Sequence, residues 1–222
     1  MNHPEIDNTT AKEGVSGDKI RSLAGLIYGS RAGHFDAFLE EAPTSGQLTV
    51  LSKTLNKPHI RHAVYDLDGT LVPPYAPIPE TVIKKLIGYH EDGRNVAIYT
   101  NSPHSDRLNR LREANIAIAE TGIGKPSLEG FKRLCDRYKM DPKATAMIGN
   151  FPVTDMPLVR DGDPPFFPLN ILVESIPPEY RLIGSWQKYF RARCFHALNV
   201  LTARIVLARN RDLLKSVLSQ NL

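Results

Sequence analysis

Short apolar runs that stop abruptly at polar residues recur through the middle of this chain, separated by stretches with helical spacing. The runs are Arg61 to Asp66, Asn95 to Tyr99, Ile116 to Ala119, Ala144 to Ile148 and Asn170 to Val173. Runs this short, bounded by turn residues, read as buried strands. Between them, Glu80 to Tyr89 puts Val82, Ile83, Leu86 and Ile87 on one stripe. Pro103 to Ala114 pairs Leu108 with Leu111, and the stretch to Tyr138 opens on Ser127, a residue able to cap a helix. Strand, turn and helix repeated in this order predict an α/β, Rossmann-like fold: a parallel sheet with helices on both faces.

The two ends read differently. Residues 1–17 are polar and predict a disordered tail. Residues 18–57 form a helical lead-in to the core at 58–176. In that lead-in, Asp18 caps a helix with Ile20, Leu23, Leu26 and Ile27 on one face. A second short helix takes in Phe35, Phe38 and Leu39, Pro43 to Gly46 breaks it, and Leu48 to Leu55 is a mixed segment. Residues 177–222 predict one or two amphipathic helices.

Composition narrows the class. With 222 residues, 41% hydrophobic and 23% charged, the chain has enough length for a sizeable core and reads as globular. Its two cysteines, Cys135 and Cys194, lie in helix-like apolar patterns and predict small core residues in a reducing compartment. The polar start, Met1 to Asp7, lacks the apolar region of a signal peptide. The longest nearly apolar stretch, Leu198 to Ala208, is broken by Asn199, Thr202 and Arg204. It falls well short of the roughly 20 residues a membrane span requires. The expected location is the cytoplasm, at most peripheral to the inner face of a membrane.

Charge is unevenly placed. Arg181, Lys188, Arg191, Arg193, Arg204, Arg209, Arg211 and Lys215 face only Glu179 and Asp212 in the last segment. That segment therefore carries a surplus of +6 within a net +4 for the whole chain. Trp186, Tyr189, Phe190 and Phe195 interleave with these cations, a pattern suited to an anionic membrane surface. Packing of the stripe on the sheet or on a second subunit fits the same pattern, and nucleic acid is a weaker third partner. His34, His62 and His104 show no metal-ligand spacing.

The candidate chemistry sits at the ends of the predicted strands, which open at one edge of a parallel sheet. Asp66 and Asp68 follow the first strand, Thr100 the second, Lys125 lies beyond the third, and Asn150 and Asp155 follow the fourth. The Asp66-Leu67-Asp68-Gly69 turn is no calcium loop, because Leu71, Val72, Pro73 and Pro74 follow in place of oxygen ligands. Carboxylates here can hold a hard divalent cation such as Mg²⁺, Lys125 can balance anionic charge, and Thr100 can donate a hydrogen bond. Backbone amides in the Asp66 turn, at Gly69 and Thr70, can cradle phosphate oxygens. One aspartate can attack phosphorus while the other serves as general acid and then general base.

Asp66-Leu67-Asp68-Gly69-Thr70-Leu71, Thr100-Asn101, Gly124-Lys125-Pro126 and Gly149-Asn150 with Asp155 occur in an order that resembles the haloacid dehalogenase superfamily of phosphohydrolases. The resemblance covers about residues 60 to 160. It implies that Asp66 is the nucleophile of an aspartyl-phosphate, that Asp68 is the acid/base, and that Thr100 and Lys125 bind the phosphoryl group, with Asn101, Gly69 and Thr70 beside it. It further implies Mg²⁺ held by the Asp66 carboxylate, the Asp68 carbonyl and the fourth motif, Asn150 and Asp155. Asn150 stands where the family has an acid, which removes a unit of negative charge. The spacing leaves no room for a cap domain, so the site should be open and the substrate large.

Within the superfamily, Gly149-Asn150-Phe151-Pro152-Val153-Thr154-Asp155 and the capless core look similar to the phosphatidylglycerophosphate phosphatase type, as does the lead-in Leu48 to Arg61. Gly69 and the loop from Asp161 to Pro165 depart from it. The expected activity is Mg²⁺-dependent phosphomonoester hydrolysis, with a phospholipid phosphate favoured. Protein, nucleic-acid ends or a soluble metabolite are alternatives, and so is a non-catalytic binding domain. Oligomeric state is not readable from the sequence.

Overall fold

The computed structural model describes residues 35–101, 106–119, 123–125, 127–155 and 166–209. The polar stretch 1–17, the helix expected from Asp18, His34, Pro103, His104, Pro126, the Asp161–Pro165 loop and the chain beyond Arg209 lie outside them.

In chain order the elements are β1 (Ala37–Leu39), α1 (Ser45–Thr54), β2 (His62–Tyr65), α2 (Glu80–Glu91) and β3 (Asn95–Ile98). A 3₁₀ turn (Asp106–Leu108), α3 (Asn109–Glu113), β4 (Ala117–Ile118) and α4 (Leu128–Tyr138) follow. A second 3₁₀ turn (Pro142–Ala144), β5 (Thr145–Gly149), α5 (Pro152–Asp155) and β6 (Leu169–Val173) complete the sheet. Last come α6 (Tyr180–Ile183) and α7 (Trp186–Arg209). The strands form one six-stranded sheet, parallel throughout, in the order β1-β6-β5-β2-β3-β4. This is a Rossmann-like α/β fold with helical extensions at its termini.

Alternation along the strands explains why both faces are covered. Ala63, Tyr65, Val96, Ile98, Ala146 and Ile148 point to a core shared with Leu48 of α1, Ile83, Leu86 and Tyr89 of α2, and Leu111 of α3. Val64, Ala97 and Met147 point the other way, to Phe131, Leu134 and Cys135 of α4. A near-continuous apolar strand buried on both sides is what a parallel sheet requires. Leu172 of β6 meets Phe35 and Val206 of α7 in a third cluster, which ties the C-terminal helix to the sheet.

The lead-in differs from expectation. Phe35, Phe38 and Leu39 do not form a helix; Ala37–Leu39 is the edge strand β1, paired with Ile171–Val173. Three residues cannot declare a period, so the β6 edge decides their conformation. Leu48 to Leu55 lies mostly in α1, where Thr44 and Gln47 form a capping box with each other's backbone N–H. Ser127 occupies the N-cap of α4 without a side-chain cap bond. Cys135 is buried, and burial pushes its thiol up to about 12, whereas Cys194 is exposed on α7 rather than in the core.

Candidate active site

The register of the central strands builds the site. Tyr65 of β2 lies level with Ile98 of β3 and Ile148 of β5, so all three strands end at one edge. The Asp66 N–H donates to Ile148 O at 2.9 Å and the Tyr99 N–H to Tyr65 O at 2.8 Å. Asp66, Thr100 and Asn150 therefore leave neighbouring strands beside one another, at the sheet edge where ligands of such folds bind.

The turn after β2 closes on itself. The N–H groups of Thr70, Leu71 and Val72 converge on Leu67 O at 3.0–3.3 Å, and the Gly69 N–H donates to Val72 O at 2.7 Å. The Gly69 and Thr70 amides, expected to cradle phosphate, are thus engaged inside the turn. Gly69 has φ +85°, and a Cβ there would stand 2.3 Å from Asn150 Nδ2; only glycine meets both demands.

Lys125 is the hub. Its Nζ lies 2.5 Å from Asp66 Oδ1 and 2.5 Å from Asp155 Oδ1, with all three side chains buried. Asn101 positions it, accepting from the Lys125 backbone N–H at 2.7 Å. Asp155 Oδ2 accepts from the Phe151 N–H at 2.8 Å, and its Oδ1 also accepts from Thr154 Oγ1 at 3.2 Å. Gly149 makes room for this: a Cβ there would lie 2.3 Å from the Asp155 Cβ. Two carboxylates around one ammonium leave an excess negative charge. Burial and the neighbouring Asp155 raise the Asp66 carboxyl to about 7, against the opposing pull of Lys125. The two carboxylates outweigh burial at Lys125 and raise its ammonium further.

Thr70 Oγ1 donates toward Asp66 Oδ2 at 3.1 Å and Asn150 Oδ1 at 3.2 Å. One hydroxyl hydrogen cannot fully serve both, so two oxygens converge where donors are short. Hard oxygens gathered around a deficit of positive charge fit a small divalent cation. Among the described residues no three or more His, Cys, Asp or Glu side chains are grouped to hold a metal ion. A cation here would take the mixed set of Asp66, the Asn150 amide oxygen and backbone. Asp68 sits apart, its Oδ1 bound by Arg107 Nη2 at 2.5 Å and by the Tyr75 N–H at 2.9 Å. Tyr75 delivers that N–H from a left-handed backbone, φ +63°.

Asp66, Asp68, Lys125, Asn150 and Asp155 line a cavity of about 170 Å³ that also includes Thr100, which is buried. That is below the roughly 300 Å³ at which whole small molecules are usually enclosed. One wall, however, is the C-terminal helix: Phe195, His196 and Asn199 of α7 line the cavity. The sequence pattern assigned α7 no role in the site. Nor did it single out Arg107, Ser175 or His196. Ser175 follows the end of β6, as Asp66, Thr100 and Asn150 follow the ends of β2, β3 and β5, and could have been found by that rule. His196 carries no local signal, because only the packing of α7 brings it near.

The centre of the site is thus a buried Lys between two Asp side chains, at the strand ends of a parallel α/β sheet. Residues 72–162 match the haloacid dehalogenase-like hydrolase family. The match takes in Thr100, Lys125, Asn150 and Asp155 and begins just after the Asp66–Leu71 turn. No curated protein and no solved structure matched the chain.

Proposed function

We propose that the protein is a Mg²⁺-dependent phosphomonoester hydrolase working through an aspartyl-phosphate on Asp66. The observation that carries this reading is the Asp66–Lys125–Asp155 cluster, 2.5 Å on each side of the ammonium and open to the cavity. A phosphoryl group entering there would meet Lys125 and Thr100. An Asp66 carboxylate oxygen bonds to phosphorus as the ester P–O bond breaks, and the departing alkoxide takes a proton from Asp68. Water then attacks phosphorus and gives one of its protons to Asp68, and the bond between phosphorus and the Asp66 oxygen breaks to release phosphate and the free carboxylate. Asp66, the Asp68 carbonyl and Asn150 would hold Mg²⁺, with Asp155 anchoring Lys125 beside them. Bound there, the cation supplies charge neutralisation to the phosphoryl oxygens.

The favoured substrate is a phospholipid phosphate such as phosphatidylglycerophosphate. A small cavity with no added domain over it among the described residues suits a phosphate carried on something larger. Beside it, α6 and the first turns of α7 expose Tyr180, Leu182, Trp186 and Phe190, at 48, 43, 65 and 63%. Arg181, Lys188, Arg191 and Arg193 are exposed among them. Amphipathic aromatics beside cations suit an anionic lipid surface, where each cation contributes about 1 kcal/mol. Among the described residues no helix is long and apolar enough to cross a membrane. The neutral Asn150 motivates a second reading, a binding domain that retains the fold without turnover.

A phosphate-release screen across lipid, sugar, nucleotide and peptide phosphates, with and without Mg²⁺, tests the proposal. Release from vesicle-borne lipid phosphate that needs Mg²⁺ and fails in Asp66→Asn is expected. Mg²⁺-dependent release gained only in Asn150→Asp would establish the binding-domain reading instead.

A further inference from the structure

Asn150 poses a problem that an acid in its place would not. A carboxylate presents the same oxygen whichever way it turns, whereas an amide turned over presents hydrogens. In this chain the useful orientation is set from outside. Asn150 Oδ1 faces Thr70 Oγ1, beside Asp66, because Nδ2 donates to Ser175 Oγ at 2.8 Å. Ser175 Oγ in turn lies 3.1 Å from Nδ1 of His196, on α7. Asn150 and Ser175 are both buried, 2% and 8% exposed, so a misdirected amide could not turn to water for its partners.

We infer that Ser175 and His196 are positioning residues that lock the Asn150 amide with its oxygen toward Asp66. Through them the C-terminal helix becomes part of the active-site machinery. Asn150 Nδ2 donates to Ser175 Oγ, and with the imidazole protonated on Nε2 the single Ser175 hydrogen goes to His196 Nδ1. Burial and the neighbouring Arg193 lower the His196 pKa, in keeping with a neutral ring. Ser175 is held as an acceptor only while His196 is there to take its hydrogen. Without that partner the hydroxyl is free to rotate and donate toward Asn150, which turns the amide over.

For catalysis this rests on the phosphatase reading, but the lock itself has a readout that does not. In ¹⁵N spectra of the full chain without metal, the Asn150 side-chain amide is expected as one slowly exchanging pair of resonances. Ser175→Ala and His196→Leu should each broaden or split that pair. His196→Asn, whose amide oxygen can reach the Nδ1 position, should restore it. Phosphate release should fall about tenfold in Ser175→Ala and in His196→Leu, with no further fall in the double variant. In an Asn150→Asp background the same substitutions should cost at least fivefold less, since a carboxylate needs no orientation. Unchanged Asn150 resonances in Ser175→Ala overturn the inference, as does an equal loss of activity in both backgrounds. A wild-type protein that shows the lock in its spectra yet releases no phosphate would instead overturn the phosphatase reading alone.

Discussion

At the scale of residues, the site is organised by an imbalance of charge. Asp66 and Asp155 share the single ammonium of Lys125, and the Asp66 carboxyl is pushed up to about 7 by burial and by Asp155. Between the ordinary carboxylate range and that value the folded protein keeps a proton that the unfolded chain has released. Stability contributed at Asp66 is therefore highest at low pH, falls as pH rises from about 4 to about 7, and is level above. Asp66→Asn removes that slope. In metal-chelated protein its Tm should gain on the wild type more at pH 8 than at pH 5, a comparison that thermal unfolding at the two pH values makes directly. Gly149 belongs to the same scale. Gly149→Ala puts a methyl group 2.3 Å from the Asp155 Cβ and must displace Asp155 from Lys125. A loss of about 1–3 kcal/mol in chemical unfolding is expected, together with loss of phosphate release.

At the scale of elements, α1 shows how local chemistry sets a boundary. Thr44→Ala should remove the capping box and cost about 1 kcal/mol in urea unfolding, with activity retained, because Thr44 is exposed and remote from the cavity. The strands β2, β3 and β5 were legible because each is a buried apolar run ending in a polar residue. The sheet's topology brings Asp66, Thr100, Lys125, Asn150 and Asp155 to one edge, as their strand-end positions imply. What was not legible had a physical reason in each case. Ala37–Leu39 is strand only because Ile171–Val173 offers it an edge, and three residues carry no periodicity of their own. Cys194 falls in an apolar rhythm on α7 yet faces outward, because Ala192, Asn199, Thr202 and Val206 are the residues that pack inward. Arg107 reaches Asp68 across the proline-rich loop, a contact set by tertiary distance rather than spacing.

At the scale of the whole molecule, α7 joins two roles. Its inward side packs on Leu172 and Phe35 and walls the cavity, while its first turns expose Trp186 and Phe190 beside Lys188, Arg191 and Arg193. Arg191 and Arg193 of the basic segment thus share one helix with the wall residues Phe195, His196 and Asn199. Trp186→Ala/Phe190→Ala should reduce co-sedimentation with anionic vesicles several-fold, with the release of phosphate from a soluble aryl ester unaltered; equal recovery of variant and wild type would remove lipid from the account. Trapping the intermediate tests the role of Asp66 most directly. Protein mixed with Mg²⁺ and an aryl phosphate, quenched in acid within one turnover and digested, should carry a phosphoryl group on the peptide containing Asp66. That label should be labile to alkali, as an acyl phosphate is, and absent in Asp66→Asn. Turnover with no label on that peptide, or a label that persists in Asp66→Asn, would contradict the assignment.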